Sequence, residues 1–107
     1  AKSFATFAPL GPWIETDLEP DEAPIRTRLN GKVMQESNTN DLIFSTRQLI
    51  SYISDSITML PGTMVMTGTP SGVGFARKPP VFLRPGDVVE IQVDGIGTLR
   101  NTVVAEG

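Results

Sequence analysis

The sequence predicts an α+β fold, mostly β, with one packed helix. Two turn dipeptides suited to φ > 0, Asn30-Gly31 and Asp94-Gly95, each sit between runs that alternate apolar and polar residues, as hairpins require. Between the hairpins lies one stretch of helical periodicity, opened by a capping signature and closed by Pro61-Gly62.

Taken in order, the acidic and proline-punctuated residues 15–24 read as a surface connection. The first hairpin joins Ile25-Arg26-Thr27-Arg28-Leu29 to Val33-Met34-Gln35. Its alternation places Ile25, Thr27 and Leu29 on one face and Arg26 and Arg28 on the other, the pattern of a half-buried strand. Ser45-Thr46-Arg47-Gln48 has capping-box spacing, so a helix is predicted to start at about Thr46. Leu49, Ile50, Ile53, Ile57 and Leu60 then form one apolar stripe, read as core packing against a sheet. The apolar run Met64-Val65-Met66 reads as a strand leading into a glycine-rich loop. Arg77-Lys78-Pro79-Pro80 is expected to be an extended excursion, and Pro85-Gly86-Asp87 a turn. Strands over residues 88–93 and 96–104 flank Asp94-Gly95 and complete the sheet.

Composition narrows the function. A chain of 107 residues holds one small domain or a piece of one, and at that length roughly two thirds of the unfolded surface is buried. Hydrophobic residues make up 39% and charged residues 20%, and no apolar run approaches the roughly 18 residues that span a bilayer, so neither a membrane protein nor a membrane partner is expected. A net charge of −3 and a pI near 4.8 argue against nucleic acid as a partner. Without cysteine there is no disulfide, thiolate nucleophile or zinc–thiolate site, and a cytoplasmic location is the expectation. Without histidine there is no imidazole base.

The loop Thr67-Gly68-Thr69-Pro70-Ser71-Gly72-Val73-Gly74 concentrates three glycines and several small hydroxyls. Glycine permits φ > 0 and close backbone approach, and Thr69 and Ser71 offer compact donors for a carboxylate or carbonyl. Its spacing is neither the phosphate loop nor the dinucleotide fingerprint. On composition alone, a tight turn closing a sheet is the plainer reading.

Five ordered segments change that weighting. They are Lys2-Ser3-Phe4-Ala5-Thr6-Phe7-Ala8-Pro9-Leu10-Gly11-Pro12-Trp13, Asn30-Gly31-Lys32-Val33-Met34-Gln35-Glu36, Asp41-Leu42-Ile43-Phe44-Ser45, the Thr67–Gly74 loop, and Leu83-Arg84-Pro85-Gly86-Asp87-Val88-Val89. Together they resemble the C-terminal part of the catalytic domain of the fumarylacetoacetate hydrolase family, over nearly all of residues 1–107. The resemblance implies a mixed β-roll, a homodimer, and a magnesium or manganese ion acting on small 2-oxo or β-diketo acids. The leading expectation is a metal-dependent hydrolase cleaving a C–C bond of an acylpyruvate- or fumarylacetoacetate-type acid. The alternatives are an isomerase, hydratase, lyase or decarboxylase of 2-oxo acids, or a silent binding module. The stretch Gly74-Phe75-Ala76-Arg77-Lys78-Pro79-Pro80-Val81 resembles a branch that includes oxaloacetate-type and sugar-acid enzymes.

The resemblance also assigns residues. Lys2 matches the lysine whose ammonium reaches the substrate, where it can neutralise enolate charge or shuttle a proton. Ala5 stands where an Asp is frequent. Thr69 matches the threonine that holds the substrate carboxylate, Gly68 permits that approach, and Gln35 faces the site in some relatives. Ser71 and Gly72 are expected to shape the loop, and Trp13 and Phe7 to serve core or interface. The family's metal ligands, a Glu-x-Glu pair and an Asp, precede the Lys-Ser-Phe motif, so no metal ligand is assigned here and half of a composite site is expected. Asp17-x-Glu19 has comparable spacing, but a solvated acidic loop is the better reading.

Overall fold

A computed structural model describes residues 2–107 of the chain. Strands β1 (Pro24–Leu29), β2 (Lys32–Asn38), β3 (Val88–Val93) and β4 (Gly97–Thr102) form one sheet in the order β2-β1-β3-β4. Every pairing among these four strands is antiparallel. Among the described residues, one helix, α1 (Thr46–Ser54), and two short 3₁₀ turns at Thr39–Asp41 and Gly74–Ala76 complete the regular structure. The mostly-β α+β reading therefore holds.

The first hairpin forms at Asn30-Gly31, both with positive φ (50° and 83°), as its tight turn demands. Asn30 also ties this turn to β3 across the sheet. Its backbone N–H donates to the Val88 carbonyl (2.9 Å), its Oδ1 accepts from the Val88 amide (2.8 Å), and its Nδ2 donates to Asp87 Oδ1 (2.9 Å). The Arg84 amide donates to the other Asp87 oxygen, so the Pro85-Gly86 turn and the Asn30 turn are held as a unit. The amide of Asn30 and then that of Arg84 hold the Asp87 carboxyl below the usual carboxylate range. The second hairpin differs from the two-residue turn predicted for it. Val93 pairs with Gly97, leaving a three-residue connection in which Gly95 has φ 88° and Asp94 is not at positive φ.

The alternation predicted for β1 is realised. Directly opposed residues share a face, so Ile25, Thr27 and Leu29 lie with Val93, Ile91 and Val89, and Ile91 lies with Leu99. The opposite face is polar: Arg26 meets Glu36 (3.2 Å), and Arg28 donates to Gln92 Oε1 (2.9 Å). In β2 the register slips, with Thr27 opposite Gln35 but Arg28 opposite Val33. Met34 is left unpaired as a β-bulge.

Helix α1 starts where its capping box predicts: Ser45 Oγ accepts from the Gln48 amide (3.2 Å), and Gln48 Oε1 from the Ser45 amide (2.9 Å). The acidic loop supplies two further anchors. Asp21 Oδ1 accepts from the Thr46 amide (2.7 Å), and Arg47 bridges Glu19 (2.8 Å) and Asp21 (3.2 Å). Carboxylates at a helix N-terminus also oppose its dipole. The Arg47 guanidinium holds the Glu19 carboxyl below the usual range, whereas the Thr46 amide is the larger cause for Asp21. Both anions are favoured in the fold. Their contribution is present above the ordinary carboxylate range and is lost as pH falls through the lowered folded values. These groups are solvent-screened, so the effect is small and salt-dependent. Arg47→Ala is expected to return the Glu19 carboxyl towards its ordinary titration while leaving the Asp21 carboxyl depressed, a difference read by carboxyl NMR titration. Equal shifts of both groups would contradict the assignment.

Two expectations for this region are corrected. The helix ends at Ser54, before Ile57 and Leu60, because small polar groups compete for the backbone in Ser54-Asp55-Ser56, with Ser54 Oγ donating to the Ser51 carbonyl (2.9 Å). The stripe is also only partly covered: Leu49 and Ile53 are half-buried, but Ile50, Ile57 and Leu60 are 46%, 63% and 66% exposed. Met64-Val65-Met66, read as a strand, forms no strand and pairs with none among the described residues. Trp13 and Phe7 are exposed, not core; Phe7 stacks at a tilt on Phe4, and the Trp13 ring lies against Gly97. Ala23 is the one buried apolar residue among those described, fixed where its amide donates to Thr39 Oγ1 and its carbonyl accepts from the Thr39 amide.

Candidate functional site

The Gly68–Gly74 loop lies against β2, and the Gln35 side chain reaches across from the strand. Gln35 Nε2 donates to Thr69 Oγ1 and to the Pro70 carbonyl, both at 2.9 Å. A carbonyl only accepts, so Gln35 must turn its NH₂ towards the loop and both of its protons are engaged. Thr69 Oγ1 is then an acceptor within the protein, which leaves its own O–H proton free to donate outward. A hydroxyl held in this way is an oriented donor for a carboxylate or an oxyanion.

The bulge at Met34 puts Gln35 in this position. An unbroken register from the Asn30-Gly31 turn would set Gln35 opposite Arg26 on the polar face, whereas the slipped register sets it opposite Thr27, on the face turned to the loop. Gly68 and Gly72 carry positive φ (106° and 102°), which places the loop backbone where an L-residue is strained. At Gly72 space excludes a side chain as well, because an added Cβ would stand 2.4 Å from the Met34 carbonyl oxygen.

Gly68, Thr69 and Pro70 separate two hollows. One, of about 520 Å³, is lined on its polar side by Ser37, Asp41, Thr67 and Ser71 and on its apolar side by Ile25, Phe44 and Leu49. The other, of about 460 Å³, lies over the apolar sheet face and contains Gln35, Met34 and Ile91. Thr69 is exposed and Gln35 half-buried, so the donor is accessible. Of the four residues assigned from sequence, Gln35, Gly68 and Thr69 are brought together. Lys2 sits in the exposed turn at the start of the described residues and lines neither hollow.

Sequence reasoning passed over Arg77, which is half-buried and donates from Nε to the Gly72 carbonyl (3.1 Å) and from Nη2 to the Met34 carbonyl. Its flanking glycines and prolines signalled only a loop. Ser71 lines the larger hollow, and Gly72 shapes the loop as expected.

The divalent ion implied by the resemblance does not fit the donors present. Among the described residues no three histidine, cysteine or carboxylate groups converge. Glu19 of the Asp17-x-Glu19 pair is engaged by Arg47, which accords with a structural loop and not a ligand pair. No described helix is long and apolar enough to cross a membrane.

Comparison with known proteins gives the fold a context. The sequence model described as fumarylacetoacetate (FAA) hydrolase C-terminal matches residues 1–104. The mitochondrial oxaloacetate tautomerase FAHD2A of Bos taurus is 47% identical over 106 residues, which cover 96% of this chain and 34% of the tautomerase. The crystal structure of 5-carboxymethyl-2-hydroxymuconate delta-isomerase from Mycobacterium smegmatis is 48% identical with a TM-score of 0.84, covering 95% of this chain and 38% of that one. Maleylpyruvate hydrolase from Sphingobium sp. SYK-6, solved in complex with manganese(II) and pyruvate, is 35% identical with a TM-score of 0.83, covering 96% and 38%. The chain thus spans between a third and two fifths of these proteins, whose named reactions differ. With the match running through the hairpins, helix and glycine loop alike, the chain belongs to the fumarylacetoacetate hydrolase family.

Proposed function

We propose that this chain supplies the carboxylate-gripping side of an active site for a small 2-oxo acid, in a hydrolase that cleaves a C–C bond of an acylpyruvate- or fumarylacetoacetate-type substrate. The observation that carries the reading is the Gln35–Thr69–Pro70 network, which leaves the Thr69 hydroxyl proton free beside two hollows. In this reading Thr69 donates to the substrate carboxylate, Gly68 clears the backbone approach, and Gln35 fixes the hydroxyl rotamer. The Lys2 ammonium stabilises negative charge that develops on the 2-oxo oxygen as the enolate forms. A divalent cation, magnesium or manganese, would supply Lewis-acid stabilisation of the same oxygen. The described residues form no site for it. The working assembly is a homodimer.

A second reading is a tautomerase acting on oxaloacetate, favoured by the 47% identity to a protein bearing that name. The two reactions share binding of the substrate carboxylate and an enolate at the 2-oxo oxygen, but reach it differently. In the hydrolase water adds to the distal carbonyl and the C–C bond breaks to give a carboxylic acid and the pyruvate enolate, which takes a proton on carbon. In the tautomerase the enolate arises by loss of a proton alone and no C–C bond breaks.

The test incubates the protein with an acylpyruvate and, separately, with oxaloacetate, with added Mg²⁺ or Mn²⁺ and with a chelator. Proton NMR follows pyruvate and carboxylate release, and ultraviolet absorbance follows the oxaloacetate enol. Metal-dependent release of both fragments supports the hydrolase. Accelerated enol decay without fragments would move the assignment to the tautomerase, and no acceleration of either would overturn the function.

A further inference from the structure

We propose that Arg77 is a positioning residue for the Gln35–Thr69 pair. It pins the β2 bulge to the glycine loop and so keeps Gln35 on the loop-facing side of the sheet. The inference rests on the reading of Gln35 and Thr69 just given, but its first test does not need turnover.

Two cross-links join β2 to the loop, side by side. Gln35 reaches Thr69 and Pro70, while Arg77, from beyond the 3₁₀ turn at Gly74–Ala76, reaches back to the Met34 and Gly72 carbonyls. Met34 is the residue that the register slip leaves without a strand partner. A bulge disrupts the local ladder, and a carbonyl there needs another donor or water. The guanidinium supplies one, and its planar fork holds the Met34 and Gly72 oxygens at a fixed spacing that a single ammonium does not impose. The approach is so close that the site of a Gly72 Cβ lies 3.4 Å from Arg77 Nη2 and 3.2 Å from Gln35 Cγ. Without the clamp, the bulge can relax into the unbroken register. In a strand with a side-chain period of two, that one-residue slip turns Gln35 to the polar face and away from Thr69. Arg77 touches neither Gln35 Nε2 nor Thr69 Oγ1, so its effect on substrate would be exerted through them.

The experiment compares Arg77→Ala, Arg77→Lys and, as a control for lost charge, Arg100→Ala on the far strand. Two readouts are followed: the Gln35 side-chain NH₂ resonances in a ¹⁵N–¹H spectrum, and KM against kcat for whichever 2-oxo acid the wild-type protein converts. Arg77→Ala is expected to move the Gln35 NH₂ pair towards solvent-exposed positions and to raise KM roughly tenfold, the equivalent of one lost hydrogen bond, with a smaller change in kcat. Arg77→Lys is expected to shift both in the same direction by less, and Arg100→Ala to leave both in place. If Arg77→Ala does not fold, Arg77→Lys carries the test. Gln35 resonances and KM unchanged in the folded Arg77 variants would overturn the proposal. If the wild-type protein converts no 2-oxo acid, the functional reading fails, while the Gln35 resonances still decide whether Arg77 sets that side chain.

Discussion

Thr69→Val is expected to lower kcat/KM for a 2-oxo acid by roughly 10²–10³-fold, the size of effect seen when one aligned donor to a developing or fixed anion is removed. Valine matches threonine in shape, so the loop and its glycines are undisturbed, and the change is confined to a hydroxyl. That hydroxyl has two functions in the geometry: it accepts from Gln35 and it keeps one proton to give. Valine abolishes both, leaving Gln35 with only the Pro70 carbonyl. Thr69→Ser retains both and should recover most of the activity. Gln35→Ala leaves the donor present but its rotamer unguided, and should fall between the two. Steady-state kinetics on the three variants, with an amide spectrum of each to establish folding, checks this ordering. A folded Thr69→Val protein with wild-type kcat/KM would remove Thr69 from the site.

Gly74→Ala is expected to be strongly destabilising through steric exclusion alone, since its φ is not in the left-handed region. An added Cβ there would stand 2.1 Å from the Val81 carbonyl oxygen and 3.2 Å from its carbon, and both are backbone atoms. The Val81 amide donates to the Gly74 carbonyl (2.9 Å), so moving the Val81 segment away would break the contact that seats it. Overpacking costs about 1–3 kcal/mol where side chains can yield, and here nothing flexible is available to yield. For a domain of this size each kcal/mol corresponds to about 4–8 °C in Tm. Gly62→Ala is the informative comparison, because φ is +88° there but nothing lies within 4 Å of the added methyl. It carries only the conformational penalty, about 1–2 kcal/mol. Thermal melts of both variants separate steric exclusion from backbone strain. A Gly74→Ala protein that melts with the wild type would show that the Val81 segment does not sit against the loop.

Much of the local structure was legible because its causes are local. Asn30-Gly31 marks a turn through the φ values of two adjacent residues, and Ser45 with Gln48 marks a helix start through groups three positions apart. The predicted faces of β1 follow from the pleat alone. Where prediction failed, a competing interaction was invisible to the pattern. The stripe from Leu49 to Leu60 has helical spacing throughout, but Ser54-Asp55-Ser56 ends the helix, and three of its five residues remain exposed. Asp94-Gly95 announced a hairpin, though not the extra residue in its connection. The acidic residues 15–22 read as solvated, yet Glu19 and Asp21 hold Arg47 and the first turn of α1.

By itself, then, the sequence determined the strands of both hairpins, the start of the helix and, through five ordered segments, the family. Those features depend on residues a few positions apart, or on motifs read whole. Tertiary structure alone decided which way Gln35 faces and what holds it there. Gln35 and Thr69 are 34 residues apart, and Arg77 and Met34 are 43 apart. No local propensity encodes a one-residue bulge whose carbonyl is claimed by an arginine from a distant loop. The pairing of β1 with β3, which closes the sheet over nearly sixty intervening residues, belongs to the same class. Such contacts form only after the chain between them is placed, because closing so long a loop costs entropy that only the assembled packing and hydrogen bonds offset.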